Sequence, residues 1–275
     1  MTAPGSDEAR LRGYVDVWWC AVDDLTHLLE QVPPEKWSTP TDLPGWDVHA
    51  CAAHTAHLES VLAGGPEETL EPEQAPHVRG LLGLYTEQGV VARRDRTPDE
   101  LINEIREACT TRHARLLASP PTDGSVRPEV IFGGVGWSWE VLLRNRPLDI
   151  WMHEQDVRRA VARPGGLDSP AARHTTDYLL ESLAMVLAKR AGAPAGTTLV
   201  VDVEGSDVAA FGVGEDGKGA RLPVVPDDPT ARIELDRETF VLLAGGRRTP
   251  DQVSYEVSGD ADLAARVLGS MAVTP

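Results

Sequence analysis

The chain has 275 residues, 41% of them hydrophobic and 25% charged, which is enough apolar material for two ordinary domains and excludes a disordered or fibrous chain. Its formal net charge of −17 argues against nucleic acid as a partner, because a phosphate backbone demands a basic face. No basic segment followed by an apolar stretch occurs in Met1–Arg10, and no apolar run approaches the ~18–20 residues that cross a bilayer. No signal peptide, no membrane association and a cytoplasmic location are therefore expected.

Cys20, Cys51 and Cys109 are odd in number and scattered, which suits a reducing compartment and three small core hydrophobes rather than a disulfide framework. Lysine occurs only at positions 36, 189 and 218 while arginine is abundant, a bias typical of a GC-rich genome.

The first half reads as helices. From Leu11, apolar residues recur at Tyr14, Val15, Trp18, Val22, Leu25 and Leu29 with helical period, and Ser6, Asp7 and Glu8 supply a cap and an acidic first turn. Val32 to Pro44 reads as a loop. Gly45-Trp46 opens a second helix that runs to about Leu62 and ends at Gly64-Gly65. An acidic stretch around Pro66–Pro76 leads to a third segment, roughly Val78 to Arg93. The fourth helix begins with a capping box of Thr97 and Glu100, with Pro98 at its first position. Pro120–Gly136 reads as a loop, and a last helix carries Trp137 to about Arg163. Pro147 is expected either to kink that helix or to mark a fresh start within it.

Arg163-Pro164-Gly165-Gly166 is the best linker in the sequence, which divides the chain into a helical domain 1–164 and a second domain 165–275. The second domain starts with a helix, Ser169 to Ala191. Short β-type runs follow at Leu199–Val203, Ala209–Val213 and Ala231–Leu235. A short helix (Glu238–Ala244), a strand (Val253–Val257) and a final helix (Ala261–Met271) complete a small α+β domain with a mostly antiparallel sheet.

Two neighbourhoods can carry chemistry. The second helix brings His49, His54 and His57 close in sequence. In the last helix of the first half, Asp149 and His153 are four apart, so a carboxylate and an imidazole share one helical face. With a histidine from a neighbouring helix they make a His₂-carboxylate set, which leaves a coordination position open on a divalent metal. His54 and His57 both remain candidates. The small residues Ala52, Ala53 and Ala56 favour His54, since they suit a closely packed helix, whereas His57, beside Glu59, fits a supporting or surface place. A carboxylate–histidine pair at this spacing also serves as a surface ion pair, so spacing alone does not establish a metal site. Glu154 and Asp156, next to Arg158 and Arg159, read as a solvated or salt-bridged face. Trp137, Trp139 and Trp151 read as core, with a pocket-lining role as the alternative.

Several segments together resemble the mycothiol-dependent maleylpyruvate isomerase family. They are Leu43-Pro-Gly-Trp-Asp-Val48 leading to Ala53-His54, and the run from Arg146-Pro-Leu-Asp-Ile-Trp-Met-His153 to Pro164. Gly245-Gly-Arg-Arg248, Gly259-Asp260 and Leu268-Gly-Ser-Met-Ala-Val273 add to them. The resemblance covers nearly the whole chain. It implies a DinB-like metal-binding four-helix bundle followed by a small α+β domain like sterol carrier proteins. It implies zinc on His54, Asp149 and His153, with aspartate standing where the isomerase usually has glutamate. It also implies mycothiol, an actinobacterial thiol, as cofactor or co-substrate. A coordinating thiol is deprotonated by a metal cation, and the thiolate is the nucleophile that adds to an activated double bond. An arginine of the second domain is implicated in the family and falls on Arg247 or Arg248; Arg247 is our choice, to hold substrate carboxylates.

The expected function is thus metal-dependent thiol activation for S-transfer to, or isomerisation of, an electrophilic small molecule such as maleylpyruvate. Two alternatives are a metal-dependent hydrolase, with Glu154 or His57 as general base, and a non-catalytic small-molecule-binding protein.

Overall fold

The computed structural model describes residues 7–70 and 75–274, which leaves the expected Ser6 cap and part of the Pro66–Pro76 stretch outside the described residues. The chain divides into two compact units, Met1–Gly166 and Leu167–Pro275.

In the first unit, α1 (Asp7–Glu30), α2 (Val48–Leu62), α4 (Pro98–Ala118) and α5 (Trp139–Ala160) form a four-helix bundle in which each packs on two others. The apolar stripe of α1 faces inward, with Leu11, Trp18 and Leu25 at 1% exposure or less. Asp47 caps α2 by accepting from the Ala50 N–H, and Thr97 and Glu100 form the capping box of α4. The additional α3 (Gly80–Ala92) packs on α2. Although Pro147 cannot donate to the carbonyl of Leu143, α5 runs unbroken through it, so Pro147 marks no fresh start. Packing of the helix on α1 and α2 outweighs the one lost bond.

Trp151 is fully buried, while Trp137 and Trp139 are half-buried against the cluster of Leu58, Val61, Leu62, Phe132 and Leu142. Beyond α5 the chain folds back onto it. The Trp151 indole donates to the Gly166 carbonyl and the Gln155 amide to the Gly165 carbonyl, both at 3.1 Å.

The second unit opens with α6 (Pro170–Glu181), capped by Ser169, a single turn α7 (Leu183–Met185) and a π-helical turn over Val186–Arg190. Its five-stranded sheet has the order β3-β2-β1-β4-β5: β1 (Thr198–Val203), β2 (Ala209–Val213), β3 (Gly219–Arg221), β4 (Ala231–Leu235) and β5 (Glu256–Gly259). Only β1 and β4 run parallel; the other three pairings are antiparallel. Leu199, Val200 and Val201 of the central strand are all wholly buried, which is why that run is continuous rather than alternating. The short β3 escaped the sequence reading because its three residues carry no apolar alternation, and β5 begins three residues and ends two residues later than expected. Helices α8 (Arg237–Ala244) and α9 (Ala261–Gly269) complete the unit, the latter packed on β4 and β5. The fold is a helical N-terminal bundle followed by a small mixed-sheet domain.

Candidate metal centre

Nearly every side of α2 is covered, by α3, α4 and α5. That burial demands small residues, and Ala50, Ala52, Ala53 and Ala56 let the neighbouring helices approach closely. His54 is carried into this packed region at 3% exposure and meets α5 where Asp149 and His153 lie one turn apart.

One ligand atom from each of His54, Asp149 and His153 lies within 4.8 Å of the others. His54 Nε2 is 3.3 Å from Asp149 Oδ2, and His153 Nε2 is 3.8 Å from Asp149 Oδ1. The two imidazoles stand nearly perpendicular, with ring centres 4.7 Å apart and planes at 68°. Despite this proximity, both nitrogens of His54 and Asp149 Oδ2 lack an aligned hydrogen-bond partner. Buried polar atoms rarely go without one. These three convergent groups could hold a metal ion together, and two imidazoles with one carboxylate are a donor set that divalent transition metals accept. The Asp149 side chain keeps 22% exposure, so the cluster is open on that side.

The electrostatics point the same way. Burial pushes the His54 imidazole below its ordinary value of 6.5 despite the Asp149 carboxylate, which keeps it neutral and able to ligate. Burial alone would raise the Asp149 carboxyl, but Arg146 and the two imidazoles outweigh it and hold the group ionised, well below 3.8.

Supporting side chains surround the three. Arg146, wholly buried on α5, places Nη2 3.0 Å from Asp149 Oδ2 and donates from Nε to Glu59 Oε1 at 2.8 Å. Glu59, wholly buried on α2, also accepts from Arg112 Nη1 at 2.9 Å and Trp18 Nε1 at 3.2 Å. The Trp46 ring lies 5.0 Å from that of His54 and 5.7 Å from that of His153, and its indole N–H donates to Glu87 of α3 at 3.0 Å. Sequence reasoning assigned none of these three a role. Glu59 and Arg146 were discernible as charged residues within otherwise apolar or family-like runs, whereas the approach of Trp46 depends on how its loop folds.

Four expectations change. Glu154 and Asp156 are salt-bridged but not solvated: both are wholly buried, paired with Arg158 at 2.6 Å and Arg159 at 2.7 Å. Glu154 faces Arg158 and Asp24, and burial pushes its carboxyl up to about 7. Cys20 is exposed, so only Cys51 and Cys109 are core hydrophobes. His57 is not a surface residue either. It is wholly buried against α3, its ring 5.0 Å from Tyr85, and burial, with Arg93 and His54 adding, pushes its imidazole down to about 3.

Gly89 makes that position of His57 possible, since a Cβ at 89 would stand 1.9 Å from His57 Nδ1. Gly89→Ala must displace either the ring or α3. The expected cost is about 1–3 kcal/mol of overpacking, read as a drop of several degrees in the thermal unfolding midpoint. An unchanged midpoint would show that the contact is not rigid.

In the second unit, Arg247 is half-buried and its Nη1 donates to the Gly245 carbonyl at 2.6 Å and reaches Thr274 Oγ1 at 3.3 Å. Arg248 Nη1 donates to the Arg247 carbonyl at 2.8 Å.

Comparison with known proteins follows the same division. An uncharacterized protein of Mycobacterium tuberculosis, found alike in strains CDC 1551 and H37Rv, is 23% identical over 269 residues, covering 94% of this chain and 92% of its own. The crystal structures of the mycothiol-dependent maleylpyruvate isomerase and of a mutant of it superpose with a TM-score of 0.57 at 17% identity. They cover 91% of this chain and 94% of theirs, a likeness of fold. The family model of the mycothiol maleylpyruvate isomerase N-terminal domain matches residues 18–158, and that of the C-terminal domain matches 173–266. With both models matched in order and spanning most of its length, the chain belongs to the mycothiol-dependent maleylpyruvate isomerase family.

Proposed function

We propose that this protein is a metal-dependent enzyme that activates a low-molecular-weight thiol, mycothiol, for transfer to or isomerisation of an electrophilic small molecule of the maleylpyruvate kind. The observation that carries the reading is the convergence of His54, Asp149 and His153 with their buried polar atoms unaligned. Zinc is the metal we propose, held by these three residues. When bound, such a cation keeps a coordination position open and favours the thiolate of a coordinating thiol.

The chain's own residues set the conditions. Burial holds His54 neutral and Arg146 holds Asp149 ionised, so the pair would offer a cation one neutral and one anionic donor. The half-buried Trp46 ring packs beside both imidazoles, tilted to each. Arg247 is the proposed carboxylate-holding residue of the second domain, on family resemblance. Glu154 turns toward Arg158 and Asp24 instead of the cluster, which disfavours the hydrolase reading that would use it as a base.

The test is titration calorimetry of zinc-loaded protein with mycothiol, followed by assay with maleylpyruvate and with a model electrophile. Thiol-dependent turnover of either is expected. Turnover of an ester or amide without thiol, or no thiol binding, would overturn the reading.

A further inference from the structure

We propose that Asp156 is the positioning residue of His153, holding its Nδ1–H so that Nε2 is presented to the metal; this rests on the metal site proposed above. The two nitrogens of His153 face two different carboxylates. Nε2 looks toward Asp149 at 3.8 Å, while Nδ1 stands 3.4 Å from Asp156 Oδ2, close but not aligned as a hydrogen bond, and this buried nitrogen has no hydrogen-bond partner among the described residues. Asp156 follows His153 by three residues on α5, so helix geometry brings the two together. A histidine that ligates through one nitrogen commonly donates its other N–H to a carboxylate, which fixes the tautomer and strengthens the ligand.

Asp156 is itself immobilised. Its side chain is wholly buried and its Oδ1 accepts from Arg159 Nη2 at 2.7 Å. Arg159 Nε in turn donates to Asp42 Oδ2 at 2.6 Å. Asp42 follows Thr41, whose hydroxyl donates to the Trp46 carbonyl at 2.8 Å. Hydrogen bonds therefore link Asp156, which stands beside His153, through Arg159 to Asp42 in the loop that carries Trp46. A carboxylate placed only to neutralise Arg159 would not need to stand beside Nδ1.

Asp156→Asn preserves shape and removes the charge. Its zinc affinity, measured by competition with a chelating dye, is expected to fall about 10–100-fold. Glu154→Gln serves as the control, because Glu154 is an equally buried carboxylate on α5 that faces away from His153, and its affinity should match wild type. Nitrogen-15 NMR of the zinc-loaded wild type should show His153 ligating through Nε2, with a slowly exchanging Nδ1–H. That spectrum needs no variant and decides the matter if Asp156→Asn fails to fold. Ligation through Nδ1, wild-type affinity in Asp156→Asn, or an equal loss in Glu154→Gln would overturn the proposal alone. A wild type that binds no zinc would overturn the metal site with it.

Discussion

His153→Ala protein is expected to carry no stoichiometric zinc when purified beside a wild type that does. Loss of a supporting group typically costs 10–100-fold in metal affinity, and loss of a ligand should exceed about 100-fold. The fold should survive, because His153 Nδ1 has no aligned hydrogen bond to lose and Asp149 keeps its ion pair with Arg146. Zinc itself supplies the contrast. A ligand at 100 times its dissociation constant stabilises the native state by about 2.7 kcal/mol, or roughly 5–10 °C in a chain of this size. Elemental analysis and a thermal shift with added zinc should therefore separate wild type, which gains, from the variant, which does not. Equal metal content in the two proteins would remove His153 from the site.

Glu59→Ala should be the most destabilising single change in the helical unit. Glu59 is wholly buried and accepts from Trp18, Arg112 and Arg146. Removing it leaves two buried guanidiniums without their shared anion, and breaking such a pair costs about 3–5 kcal/mol. Against a typical total of about 5–15 kcal/mol, that approaches unfolding. Urea denaturation at neutral pH is the measurement, and a loss under about 1 kcal/mol would show that water reaches the cluster.

The same group sets a pH dependence. Burial opposes ionisation of Glu59, yet Arg112 and Arg146 outweigh it and hold the carboxyl below its ordinary 4.5. A carboxyl depressed in the folded state stabilises above its unfolded value, and that stabilisation is lost as pH falls through the folded one. Wild-type stability should thus decline below about pH 4.5, and Glu59→Gln should flatten that part of the curve.

Much of this architecture is legible in the amino-acid order, for local reasons. The period of Leu11, Val15, Trp18, Val22 and Leu25 and the Thr97–Glu100 capping box depend on neighbours within a turn or two. The same holds for the pairing of Asp149 with His153 across one turn of α5. Burial of charge is not legible in this way. A charged residue beside oppositely charged neighbours reads as a surface ion pair, yet Glu154 and Asp156 are wholly buried with theirs. Local order cannot say which face of α5 meets α1 and which meets α2.

The candidate metal site of the first unit shows where that boundary lies. The sequence by itself determined a helical first half, a mixed α+β second half, the Asp149–His153 pair and, through resemblance, the family. It offered His54 and His57 as partners three residues apart and could separate them only by the small residues nearby. The tertiary structure decided between them, because α2 packs between α5 and α3. Three residues advance the helix by about 300°, so His54 meets Asp149 and His153 while His57 meets Gly89 and Tyr85. Helix packing also decided the support: Glu59 and Arg146 are 87 residues apart, and Asp42 and Arg159 are 117 apart. No periodicity reaches across such distances, and only the packed bundle brings their charges together.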